Sequence, residues 1–395
     1  MEIIQKRTWA EIDLDAAAHN LTAIRKRIGE RVKLCCVIKA DAYGHGAVRL
    51  AKEYASLGAD WLALSNIEEA MQLRRAGVEL PLLVLGYTPP EAAALLAEND
   101  ISQCAYSAEY CRLLSEHAAE SGVSVKIHIK VDTGMSRLGF YFQDLNRDVA
   151  VVDEIVSSCK LPGLVPEGIF THFAVADSGK DGMMFTMRQF GCFKELIETL
   201  SHRGIEFPVR HCANSGATLD YSLSHMQMVR AGIILYGIHP SSDVMHPAAL
   251  RPVMSLRAVI SHIKEIEPGS DISYGRTYTA EKKLRVATIP IGYADGYSRQ
   301  LSGKANILVH GVRCPILGRI CMDQCIVDVS AVPEAKVGDI VTLIGEDGGE
   351  VIRVEELAQI MDTIPYEVIC GLSKRVTRVY LKNGQEDSVF DCILD

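Results

Sequence analysis

VKLCCVIKADAYGHG, residues 32–46, begins with a run that is apolar except for Lys33, continues into Lys39, and ends in a turn of small residues and glycines. A run this short, rich in Val, Ile and Cys, reads as a strand buried on both faces, the condition of strands in a parallel sheet. Seven further runs of the same kind follow: WLAL (61–64), LLVL (82–85), SQCA (102–105), VKIHIKV (125–131), GIF (168–170), VRHC (209–212) and QMVR (227–230). Segments of helical period lie between them, such as AVRLAKEYASLG and MRQFGCFKELIETLSHRG, each closing near a glycine able to stop a helix. Eight strands joined by helical crossovers predict a (β/α)8 TIM-like barrel over residues 10–245.

Beyond residue 245 the pattern changes. SLRAVISHIKEI, LRVATIPIG, ANILVHG, CPILGRI, QCIVDVS and DIVTLIG are strand-like, separated by Gly, Pro and Asp, with one late helical stretch, VEELAQIM. The expected class is therefore α/β: an N-terminal barrel followed by a mostly β domain over 246–395. Residues 240–252 are the candidate linker, and residues 1–9 are candidates for a strand added to the β domain.

With 395 residues, 48% of them hydrophobic, 23% charged and a net charge of -9, the composition is that of a soluble globular protein. No basic surplus points to nucleic acid, and no apolar stretch reaches the roughly 20 residues of a membrane span. MEIIQKRTWAEIDL lacks the apolar core of a secretion signal, so a cytoplasmic location is expected. The 12 cysteines are scattered, as reduced thiols are. Cys321 and Cys325 in CMDQC have no second Cys/His pair at ligand spacing, and no metal is expected.

Barrel enzymes carry their chemistry at the C-terminal strand ends. Here the first run ends at Lys39, the fifth carries Lys130 and leads to Arg137, and the sixth leads to His172. The seventh leads to Asn214 and Ser215, and the eighth ends at Arg230 beside AGI. A lysine at a buried strand end can lose its proton and form a Schiff base with an aldehyde cofactor. NSG and AGI supply a hydroxyl and backbone N–H groups of the kind that hold a phosphate.

In these residues the chain resembles the alanine racemase family. VIKADAYGHG, KVDTGMSRLG, FTHFAVAD, CANSGAT, MVRAGIILYG, SYGRTYTA, IPIGYADGY, GRICMDQ and YEVIC stand in the family's order and spacing. The resemblance implies pyridoxal 5′-phosphate as cofactor and interconversion of L- and D-alanine, the D-alanine serving peptidoglycan synthesis. It implies that Lys39 carries the cofactor and acts on D-alanine, while Tyr274 acts on L-alanine from the other subunit of a homodimer. Arg137 and the backbone of Met322 resemble the groups that hold the substrate carboxylate, with Asp323 in support. Tyr43, Ser215, Gly232, Ile233 and Tyr366 match the phosphate-site positions. Arg230 resembles the arginine facing the pyridine nitrogen, with His172 linking it towards Tyr274. Lys130 matches a lysine often carbamylated in relatives, where it braces the equivalent of Arg137.

Racemisation needs a proton removed from one face of the α-carbon and one returned to the other, so two acid/base groups are required. The bulk of Tyr366 argues for alanine over serine. Asp177, Arg299, Arg319 and Ile364 match an entrance corridor, while Lys374 and Thr377 depart from residues common there in relatives. The competing readings are a serine or broad-specificity racemase, a decarboxylase of the same architecture, and a pyridoxal-phosphate-binding barrel without catalysis. SYG and CMDQ speak against the decarboxylase, and the β domain against the last.

Overall fold

The structure is a computed structural model and describes residues 7–394. Its chain divides into two compact units. One comprises residues 18–42 and 47–251. The other comprises residues up to 17, Tyr43–Gly46 and the chain from Pro252 onward.

The first unit contains eight parallel strands at the eight expected runs: Lys33–Val37, Trp61–Leu64, Leu82–Val84, Ile101–Ala105, Val125–Asp132, Leu164–Phe170, Val209–His211 and Met228–Ala231. The first seven pair each with the next in turn, and Met228–Ala231 pairs with Lys33–Val37. The remaining seam, between the seventh and eighth strands, is spanned by Gln227 N–H to Arg210 O (3.2 Å) and Arg230 N–H to Ala213 O (3.0 Å). The sheet therefore closes almost completely into a barrel. Trp61–Leu64 and Ile101–Ala105 are buried at every position; the first is apolar throughout, while the second buries Ser102 and Gln103 as well.

The crossover helices start and stop for local reasons. Asn66 caps Ile67–Arg75 by accepting from Glu69 N–H, with acidic residues in the first turn and Arg74 and Arg75 in the last. Ser107 caps Ala108–Glu120 in the same way. The longest crossover, Gly179–His202, buries Gln189, Phe190 and Phe193 on one face. No helix among the described residues is long and apolar enough to cross a membrane.

The second unit is built on a mixed sheet ordered Val312–Pro315, Asn306–Val309, Ile340–Asp347, Met254–Val259, Thr8–Asp13, Thr377–Lys382, Gln385–Phe390. Thr8–Asp13 sits inside it, antiparallel to Met254–Val259 and parallel to Thr377–Lys382, with Trp9 buried. The strand thus runs to Asp13, past the residue 10 at which the barrel was expected to begin. Residues 1–6 of the candidate strand lie outside the described residues. The later division between units falls at Arg251/Pro252 rather than after residue 245. One reason is that residues 249–251 still bond back to the first helix: Asn20 donates to Arg251 O and accepts from Arg251 N–H. A small hairpin, Asp271–Ile272 with Tyr278–Thr279, presents the Tyr274–Arg276 turn.

Candidate active site

Successive residues of a strand face opposite sides, so alternate positions of Val125–Asp132 share the barrel interior. Lys130 is buried there, beside the fifth strand's end. Its Nζ donates to Val131 O (2.7 Å) and stands 5.5 Å from the centre of the Phe170 ring. Burial, more than any charge, lowers its ammonium to about 8. Asp132 is not its ion-pair partner. One carboxylate oxygen of Asp132 instead accepts from the backbone of Gly134, Met135 and Ser136, shaping the loop that carries Arg137.

Arg230 is the centre of this half of the site. Its Nη1 meets His211 Nδ1 at 2.8 Å, and its Nη2 reaches Thr171 O (2.9 Å), His172 Nδ1 (3.1 Å) and Cys212 O (3.2 Å). A guanidinium only donates, so both imidazoles accept at Nδ1 and, when neutral, carry their proton on Nε2. Burial brings Arg230 down to about 10, still cationic near neutrality. His172 is held well below the ordinary histidine range, first by burial and then by the charges of Arg230, Lys130, Arg137 and Lys39. It is a neutral imidazole whose Nε2–H remains available as a donor.

Lys39 opens a helical turn, Lys39–Gly44, of unusual hand: Ala40, Asp41, Ala42 and Tyr43 have φ of 52°, 53°, 53° and 53°. L-residues resist this conformation by roughly 1–2 kcal/mol each, so neighbouring bonds must enforce it. Ala42 N–H bonds Ile38 O, Ala40 N–H bonds the Glu69 carboxylate (2.7 Å), and Ala47 N–H bonds the Asp41 carboxylate (2.7 Å). At the other end of the turn, the buried Arg378 donates to Gly44 O (3.0 Å).

Ser215 begins the short helix after the seventh strand, and its Oγ accepts from Gly232 N–H at 2.9 Å. Ile233 starts the turn after the eighth strand. Ser215, Gly232 and Ile233 are thus adjacent, as their places at neighbouring strand ends predicted.

In the second unit Tyr274 is 70% exposed and Met322 53% exposed. Ser273 Oγ donates to Arg319 O and so ties the Tyr274 turn to the loop that leads into CMDQ. The CMDQ loop lies directly on the GYADGY turn. Ala294 N–H bonds Met322 O (3.0 Å), and a side chain at Gly292 would lie 2.3 Å from both Cys321 O and Met322 O. Only glycine permits that approach. Asp323 pairs with Arg375 (2.8 Å), which also faces the buried Asp295. Tyr366 and Tyr43, both on this unit, have ring centres 5.9 Å apart. Burial pushes the Tyr43 phenol far up, so it acts as a neutral hydroxyl.

Of the corridor candidates, Ile364 is exposed, and Asp177 is partly buried with its carboxyl raised chiefly by burial. Lys374 is exposed, and Thr377 is buried and bonded to Asp391.

Four residues with a part in this geometry carried little sequence signal. Gln189, buried on the long crossover helix, accepts from Ala174 N–H and donates to His172 O and Thr133 Oγ1, fixing the loop that bears His172. Arg378 lies in LSKRVTR, where nothing marks it as buried. His128 and His211 were visible only as polar residues inside the apolar runs VKIHIKV and VRHC.

A nearly closed parallel barrel with lysines, arginines and a histidine gathered at its C-terminal strand ends, followed in the chain by a separate β unit, defines an enzyme of the barrel class. The chain belongs to the alanine racemase family: the family's N-terminal domain matches residues 12–240 and its C-terminal domain residues 253–380. An alanine racemase of Desulfovibrio desulfuricans is 46% identical over 382 residues, 97% of this chain and 100% of the relative. The solved alanine racemase of Clostridium difficile 630 is 42% identical, with a TM-score of 0.93 over 100% of both chains. That of Bacillus anthracis, solved with bound L-Ala-P, is 37% identical with a TM-score of 0.92 over 98% of both chains.

Proposed function

We propose that this protein interconverts L- and D-alanine with pyridoxal 5′-phosphate, using Lys39 and Tyr274 as its two acid/base groups. The observation that carries the reading is the charge around His172. Four cations, Arg230, Lys130, Arg137 and Lys39, act on one half-buried neutral imidazole, and the Asp132 carboxylate among them is turned to backbone N–H groups. Such a surplus suits a dianionic phosphate and an amino-acid carboxylate. The donor set of the barrel unit fits the cofactor: an amine at Lys39, a hydroxyl at Ser215, which Gly232 N–H holds in place, a backbone N–H at Ile233, and a guanidinium at Arg230.

When bound, the cofactor supplies an electron-withdrawing ring that makes the α-proton of an amino acid removable. Lys39 Nζ takes the α-proton from D-alanine, and Tyr274 Oη takes it from L-alanine. Whichever group removes the proton, the other returns one to the opposite face of the α-carbon. Tyr274 needs its phenolate stabilised, because a free phenol ionises only near pH 10. His172 suits that task, because Arg230 occupies its Nδ1 and leaves Nε2–H to donate. Arg137 and Met322 N–H hold the carboxylate, and Asp323 with Arg375 steadies the Met322 loop.

The exposure of Tyr274 and Met322 supports a homodimer in which each site is completed by the partner's β unit. Tyr366, packed beside Tyr43, favours a methyl side chain. The location is cytoplasmic, with D-alanine passing to peptidoglycan synthesis. The test is incubation of the holoenzyme with L-alanine in deuterated water. D-alanine should form with deuterium at its α-carbon; bound cofactor without exchange refutes the proposal, and equal exchange on serine refutes the specificity.

A further inference from the structure

A buried guanidinium is normally balanced by a carboxylate in direct contact. The four acceptors of Arg230 are two carbonyls and two imidazoles. The carboxylate stands further down the barrel. His211 Nε2 lies 2.9 Å from His128 Nδ1, His128 Nε2 lies 3.2 Å from Glu167 Oε2, and the same oxygen accepts from Ser102 Oγ at 2.5 Å. His128 and His211 are fully buried, and both imidazoles are held below their ordinary range, mainly by burial.

The polarity of this line is determined by its two ends. Arg230 can only donate, so His211 accepts at Nδ1 and donates from Nε2. His128 then accepts at Nδ1 and donates from Nε2, and an ionised Glu167 can only accept. Burial opposes that ionisation, but the bonds from His128 and Ser102, helped by Lys126, keep the carboxyl below its usual range. Every proton in the line has one consistent place.

Two features of the backbone serve this line. The pairing of Val125–Asp132 with Leu164–Phe170 slips between Ile127 and His128: Ile127 faces Pro166, while His128 faces Gly168. Glu167 is the extra residue of a β-bulge, and such a bulge re-aims a side chain that regular alternation would send to the other face. Gly168 makes the room, since a Cβ there would lie 2.4 Å from His128 Nδ1. Phe170 stacks on His211 with centres 4.8 Å apart and planes within 6°, fixing the ring's plane.

We propose that Glu167, His128 and His211 are positioning residues that act through Arg230: the bulge-borne carboxylate is the terminal acceptor that anchors a line of imidazoles whose tautomers Arg230 sets, and thereby holds the guanidinium that orients His172. The inference rests on the role proposed above for Arg230. Arg137, Lys130, Cys35, Cys104 and Cys212 also face Arg230, but burial raises each of the three thiols to about 12, and they stay neutral.

The experiment is nitrogen NMR of the holoenzyme, and of the same chain stripped of cofactor, labelled with 15N-histidine, alongside steady-state racemisation. In the wild type His128, His211 and His172 should be neutral with the proton on Nε2 in both forms. Glu167→Leu should leave the His128 Nε2–H without its acceptor, shift the resonance of that nitrogen, and lower kcat by about 10- to 100-fold, the usual cost of losing a partner that orients a functional imidazole, with KM little changed. Glu167→Gln, which keeps an acceptor oxygen, should restore both readouts most of the way. A proton on Nδ1 of His128 or His211 in the wild type overturns the proposal even if Glu167→Leu does not fold. So does a Glu167→Leu protein with a wild-type His128 Nε2 resonance or wild-type kcat. If the tautomers are as stated but no alanine is racemised, the function falls and the wiring stands.

Discussion

Replacing Lys130 with Met tests what the barrel interior does to a buried amine. The folded-state value is about 8 against 10.5 for an ordinary lysine, a difference worth about 3 kcal/mol against the charged form. Below pH 8 both the folded and the unfolded chain hold the proton, and the folded state carries the full cost. Between pH 8 and 10.5 the unfolded chain binds more protons, so stability rises with pH until the cost is gone above 10.5. Met matches the length of the side chain and removes the charge. It also gives up the bond to Val131 O, worth about 1 kcal/mol, although Thr171 Oγ1 still serves that carbonyl at 3.0 Å.

Lys130→Met should therefore be about 2 kcal/mol more stable than wild type at pH 7 and about 1 kcal/mol less stable above pH 10.5. Urea unfolding followed across that range measures the difference. A gap that does not change with pH refutes the argument from burial. A variant that is less stable at pH 7 points instead to a carbamate on Lys130, since the carbamate's negative charge would be stabilised by Arg137 and Arg230. A 13C signal from labelled bicarbonate would then identify it.

The left-handed turn offers a paired test. Ala40→Gly, at an exposed position, should gain about 0.5–1 kcal/mol in urea unfolding, whereas Ala42→Gly should gain nothing because a buried methyl is lost with the strain. Gln189→Leu strips Ala174 N–H and His172 O of their partner and should lower kcat about 10-fold with little change in KM, read by coupled assay. Arg378→Leu leaves the carbonyls of Gly44, Leu372, Ser373 and Val376 without their donor. It should cost at least about 3 kcal/mol in the same unfolding measurement; a loss below 1 would mean that those carbonyls find other donors.

Periodicity alone was enough to locate the eight barrel strands and the change to β structure after them, because a strand buried on both faces is short and largely apolar whereas its crossover helix exposes one polar face. Strand-end placement was enough to pick out Lys39, Arg137, His172, Ser215 and Arg230, since the barrel brings every strand end to one mouth. Tertiary structure decided the rest. The hand of the turn after Lys39 depends on a bond to the Glu69 carboxylate and one from Arg378, which no local propensity encodes. The inward turn of Glu167 depends on a one-residue slip between two strands. The partnership of Arg230 with two imidazoles depends on residues 19 and 58 positions away in the chain. Hydrogen bonds act over about 3 Å of space whatever the separation along the chain, so a buried polar network becomes legible only when the strands that carry it have closed into a barrel.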